Sequence, residues 1–151
     1  MKVKEKISIG ASPEQVWKFI EDPNNLSIWN PKVKMVTAFD STRHVGYSFG
    51  IMYEMSGRAM EYRAEITTFE YASHLVFTFS GGSLPMPNSV TEEFIITPLE
   101  TGSLLQRNVD FGRANMPWWA KILFWLIFTF GKPVGDTYLM DVKRIIEHGE
   151  K

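Results

Sequence analysis

Between residues 46 and 111 apolar and polar side chains alternate in run after run, with turn residues between the runs. This period of two is the signature of strands with one buried face. Residues 46–55 place Tyr47, Phe49, Ile51, Tyr53 and Met55 on one face. Residues 58–69 place Met60, Tyr62, Ala64 and Ile66 on one face, with Glu61, Arg63 and Glu65 on the other. If Ser56-Gly57 is a two-residue turn, Met55 faces Arg58, Tyr53 faces Met60 and Ile51 faces Tyr62. The two apolar faces then coincide, whereas a slip of one residue would turn one of them to water. Runs at 74–80 and 89–97 follow, joined by the loop GGSLPMPN, and a last run at 103–111 follows a Thr101-Gly102 turn. With a run at 32–39 ahead of them, these segments predict a six-strand antiparallel meander.

The flanks complete the order. Residues 3–9 alternate too, with Val3, Glu5, Ile7 and Ile9 on one face. Ser12-Pro13-Glu14-Gln15 then has the form of a helix start, with Ser12 as cap, Pro13 at the first helical position and Gln15 closing a capping box. Val16, Trp17, Phe19 and Ile20 give that helix its buried side. Asp22-Pro23 restarts a short helix carrying Leu26 and Trp29, which Asn30-Pro31 ends. In the C-terminal third, Val134, Tyr138, Leu139, Val142, Ile145 and Ile146 recur at helical spacing. No repeat or linker interrupts the 151 residues, so one domain over 1–151 is the expectation. A long antiparallel sheet curls, and a helix can cover its concave face and leave a cavity.

Composition removes several function classes. The chain has no cysteine, which excludes disulfide frameworks and thiolate chemistry. Its net charge of −1 lacks the basic excess of a nucleic-acid binder. His44, His74 and His148 show no metal-ligand spacing; the first two are expected in loops and the third at a helix end. No metal or cofactor is expected, since phosphate-loop, dinucleotide and nucleophile-elbow motifs are all missing. The N-terminus does not read as a signal peptide, so the expected location is cytoplasmic. Met116–Phe130 is intensely apolar, with Lys121 its only charge, yet too short to span a bilayer. It reads first as lid and core, then as a homodimer interface through 117–130, and only third as a membrane contact.

The opening I-x-I-x-A-S-P-E-x-V-W-x-F-I-x-D-P-x-N-x-x-x-W-N-P-x-V resembles the START/Bet v 1-like (SRPBCC) superfamily, in its polyketide cyclase/dehydrase-like branch. Ser12, Pro13, Val16, Trp17, Phe19, Ile20, Asp22, Pro23, Trp29, Asn30, Pro31 and Val33 carry the resemblance. Gly46, Phe94, Pro98, Gly102 and the closing Leu139-x-x-Val142-Lys143-x-x-Ile146-Glu147 echo it later. It implies an α+β helix-grip fold: a curved antiparallel sheet of about seven strands around a long C-terminal helix, with two short helices after the first strand. It also implies a deep apolar cavity for lipids, sterols, isoprenoids or polyketide-like molecules. The chain departs from the pattern in its very apolar 116–130 segment and in Gly131-Lys132-Pro133, which interrupts what is often one helix.

Within that frame, strict alternation sends two charges inward. Glu92 shares a face with Phe94 and Ile96, and Arg107 shares one with Leu105, Val109 and Phe111. A turn near 99–102 sets Arg107 about opposite Phe94 and diagonal to Glu92, within reach of an ion pair. Arg58 falls on an inward face close to its turn. These residues, with Tyr53 and Tyr62, are the candidate polar anchors for a ligand; the tyrosines serve equally as core packing. Trp29, Phe49, Ile51, Met60, Phe77, Phe79, Phe94 and Phe111 are the candidate apolar lining, with Met86 on the loop at the mouth. The leading expectation is a non-enzymatic protein that binds or carries a hydrophobic small molecule. A cyclase or dehydratase is the alternative, with Arg107 polarising a carbonyl and Glu92 or a tyrosine moving a proton. A homodimeric interaction module is the third.

Overall fold

A computed structural model describes residues 2–39, 41–55, 57–81, 89–111 and 138–149. Met86, the apolar segment 116–130 and Gly131-Lys132-Pro133 lie outside them. β1 (Lys2–Ile9) leads into α1 (Pro13–Ile20), a single 3-10 turn (Pro23–Asn25) and α2 (Leu26–Trp29). Then come β2 (Val33–Thr37), β3 (Ser48–Met55), β4 (Arg58–Glu70), β5 (His74–Ser80), β6 (Val90–Leu99) and β7 (Gly102–Asp110), and last α3 (Tyr138–His148). The strands form one curved antiparallel sheet in the order β1-β7-β6-β5-β4-β3-β2. This is the predicted meander, with β1 returning to close against β7.

Local chemistry sets the elements. Both halves of the capping box form: Gln15 N–H donates to Ser12 Oγ at 3.3 Å, and Ser12 N–H donates to Gln15 Oε1 at 2.9 Å. The β3–β4 register is the predicted one, with Met55 opposite Arg58, Tyr53 opposite Met60 and Ile51 opposite Tyr62. Phe94 stands opposite Arg107 in the last hairpin, also as predicted. The turn differs by one residue. Leu99 pairs Gly102, so Glu100-Thr101 make the turn and Gly102 opens β7. His74 likewise opens β5 rather than sitting in a loop, and its Nε2 lies 2.8 Å from Glu93 Oε1 on the outer face.

The core fills the end of the sheet nearest α1 and α2. Trp17 packs edge-on to Phe69 at 5.0 Å, and Phe77 meets Phe49 at 5.4 Å and Phe94 at 6.1 Å. Leu139 and Val142 of α3 are fully buried in the same cluster. The end of α3 is pinned to β1 by polar contacts. Glu147 Oε1 accepts from Gly10 N–H at 2.6 Å and from Lys143 Nζ at 2.7 Å, while Lys143 Nζ also donates to Ser8 O at 2.7 Å. The two hydrogen bonds to Glu147 hold its carboxyl below its ordinary value, the one from Lys143 contributing more.

Gly102 marks where the β6–β7 turn meets the end of β1. Its φ is +102°, and a Cβ there would collide with the carbonyl oxygen of Ile9. Gly102→Ala therefore meets both a disfavoured backbone angle and a fixed backbone atom. A loss of more than about 1 kcal/mol in urea denaturation is the expected result; an unchanged midpoint would contradict this packing.

Candidate functional site

Among the described residues, the opposite end of the sheet is hollow. The tip of the β3–β4 hairpin, the end of β5, the start of β6, the end of β7 and the start of β1 gather there around a cavity of about 440 Å³. That lies within the roughly 300–1,000 Å³ usual for small-molecule sites. Val3, Phe79, Val90, Val109 and Phe111 supply apolar wall, with the rings of Tyr53, Tyr62 and Tyr138 between them.

The polar feature of this cavity is a three-strand charge cluster. Arg107 on β7 is buried, and so is Glu92 on β6. Arg107 Nε donates to Glu92 Oε1 at 2.5 Å, and its Nη1 donates to Glu5 Oε2 at 3.0 Å. Glu5 stands directly opposite Arg107 across the β1–β7 pairing, and Glu92 is its diagonal neighbour on β6. The guanidinium also lies against two aromatic rings, 5.4 Å from the Trp29 centroid and 5.2 Å from that of Tyr138. Such contacts favour a cation most where water is excluded. Burial works against the charge on Arg107, but Glu92 and Glu5 together outweigh it and hold the guanidinium above its ordinary value.

Tyr53 completes the polar side. Its ring meets Tyr62 edge-on at 5.8 Å and Phe79 at 6.2 Å. Burial above all, and next the charge of Glu92, pushes its phenol well above the usual tyrosine value of 10.0. It is a neutral hydroxyl at any physiological pH, able to donate a hydrogen bond but ill-suited to give up its proton. The Tyr62 hydroxyl donates to Met60 Sδ at 3.5 Å, a weak acceptor.

Of the residues singled out from the sequence, Tyr53, Tyr62, Phe79, Glu92, Arg107 and Phe111 line the cavity. Phe49, Ile51, Phe77 and Phe94 face the same way but are packed into the core at the filled end. Trp29 is buried beneath Arg107 rather than on the cavity wall, and Met60 sits behind Tyr62. Arg58 is exposed, because the β3–β4 hairpin carries it to its tip. Glu5, Asn30, Lys32 and Tyr138 also line the cavity and were not among the candidates. Glu5 was legible as inward-facing, but its partner strand lies about a hundred residues away in sequence. Among the described residues no group of three or more acidic or histidine side chains could hold a metal. None of their helices is long and apolar enough to cross a membrane.

The family model for polyketide cyclase / dehydrase and lipid transport matches residues 1–125. The chain belongs to this family. Solved structures share the polyketide cyclase-like fold at low identity. Protein TTHA0849 from Thermus thermophilus is 12% identical, with a TM-score of 0.74 and 100% of both chains covered. Ginseng major latex-like protein 151 from Panax ginseng is 15% identical, with a TM-score of 0.66 over 99% of this chain and 96% of its own. A START superfamily protein from Mycobacterium smegmatis is 17% identical, with a TM-score of 0.62 over 86% and 94%. No curated protein matches the sequence. The fold is thus START/Bet v 1-like, and the family description concerns hydrophobic molecules.

The charge cluster has a measurable consequence. Removing Arg107 strands Glu92 as a buried charge without its partner. Arg107→Met should cost about 3–5 kcal/mol in urea denaturation. Adding both Glu92→Leu and Glu5→Leu should recover most of that loss, since well-packed apolar side chains can replace a buried ion triad. A small loss in the single variant would show that water reaches Glu92.

Proposed function

We propose that this chain is a single START/Bet v 1-like binding domain that holds a hydrophobic small molecule in the cavity beside Arg107. The observation that carries this reading is a mainly apolar cavity whose one enclosed cation, among the described residues, is already engaged by two carboxylates. Apolar walls supply affinity at about 25 cal/mol per Å² of surface removed from water. Tyr53 and the rim of the charge cluster supply orientation. The ligand enters as a lipid, isoprenoid or polyketide-like molecule of a size matched to the cavity.

The same geometry disfavours the cyclase reading. Polarising a carbonyl requires donors aimed at the developing oxyanion. Arg107 directs its Nε and Nη1 at Glu92 and Glu5, and these two carboxylates offset the charge that would stabilise an oxyanion. Proton transfer would need a group titrating near the working pH, and Tyr53 is driven the other way.

Native mass spectrometry of protein purified from its own cells is the test. One apolar species at near one-to-one stoichiometry is expected. Val109→Phe, which fills the cavity from β7, should lower the bound fraction at least about tenfold while leaving thermal stability intact. Undiminished loading in that variant would place the ligand elsewhere.

A further inference from the structure

Four charged side chains line the cavity among the described residues: Glu5, Glu92, Arg107 and Lys32. They are not equivalent. Lys32 is exposed, with its Nζ 5.9 Å from the Tyr138 ring centroid, and it belongs to the rim. Glu92, Arg107 and Glu5 are enclosed, their side chains 3%, 9% and 16% exposed. The enclosed set therefore holds two carboxylates against one guanidinium, an excess of one negative charge.

That excess has a direct chemical meaning for a ligand. An entering carboxylate would lose its water and meet two like charges. The enclosed cation that would attract it already donates from Nε to Glu92 and from Nη1 to Glu5. A carboxylate that took one of the remaining N–H donors would bring a third negative charge beside a single guanidinium. An uncharged oxygen faces no such conflict, since the neutral Tyr53 hydroxyl lines the same wall and can donate to it.

We infer that the cavity takes an amphiphile whose enclosed end is an uncharged hydroxyl or carbonyl group, and rejects the same chain ending in a carboxylate. This deepens the ligand-binding reading above and rests on it.

Dodecanol and dodecanoate are suitable probes, because they differ only at that end. Titration of each into the full chain at neutral pH, below its aggregation concentration, reads the difference. Dodecanol should bind at least about tenfold more tightly, each tenfold step being about 1.4 kcal/mol. In Glu5→Gln the enclosed charge falls to zero, so dodecanoate affinity should rise by about tenfold, more than any change in that of dodecanol. Circular dichroism checks that this near-isosteric variant is folded, and the comparison on the unaltered chain stands by itself. Equal or tighter binding of dodecanoate by the unaltered chain overturns the inference and leaves the ligand-binding reading in place. An equal gain for both probes in Glu5→Gln overturns it as well. Binding of neither probe, with no bound molecule in protein from its own cells, overturns the ligand-binding reading and this inference with it.

Discussion

A guanidinium on the inward face of a sheet carries its charge out of water, and that cost must be met by neighbours fixed in place. Arg107 meets it through β6 on one side and β1 on the other. The meander brings β6 beside β7 through a short turn, but β1 arrives from the opposite end of the sequence. The Glu5–Arg107 contact therefore depends on closure of the sheet edge, and the closure depends in part on Gly102, where β1 passes too close for a side chain. The cluster joins three strands at the end of the sheet where packing is thinnest.

The cavity follows from how apolar volume is distributed along the strands. Toward α1 and α2, the rings of Trp17, Phe69, Phe49, Phe77 and Phe94 fill the concave face. Toward the β3–β4 tip, valines and the edges of tyrosines leave space. A single polar cluster at the boundary, backed by Trp29 and Tyr138, separates the two regions. Interiors are normally close-packed, and the hollow that the described residues leave beside the ion cluster has the size of a small-molecule site.

Most of the fold was legible in the sequence, because its signals are local. Two alternating runs lie either side of Ser56-Gly57, their apolar faces match in only one register, and that register forms. The capping box at Ser12 and Gln15 forms for the same reason: its partners are three residues apart. The site was legible in part. Alternation showed that Glu92 and Arg107 turn inward, but it does not distinguish a filled end of a sheet from a hollow one. Phe49, Ile51, Phe77 and Phe94 were correctly oriented, yet the structure puts them in packed core. Glu5 was on the correct face, but strand periodicity does not say which distant strand a strand will join. Asn30 carries the resemblance and Lys32 opens the run at 32–39, but neither signal marks a residue as cavity wall.

On the proposed reading Arg107 keeps both carboxylates while the cavity holds its ligand, so that the cluster is a fixed wall rather than a hand that grasps. A crystal structure of the complex with a long-chain alcohol tests it most directly. Density is expected for the chain between Phe79, Val109 and Phe111, with its oxygen near Tyr53 and Arg107 still bonded to Glu92 and Glu5. An Arg107 side chain swung away from Glu5 to bind the ligand, or a ligand seated outside the cavity, would contradict it.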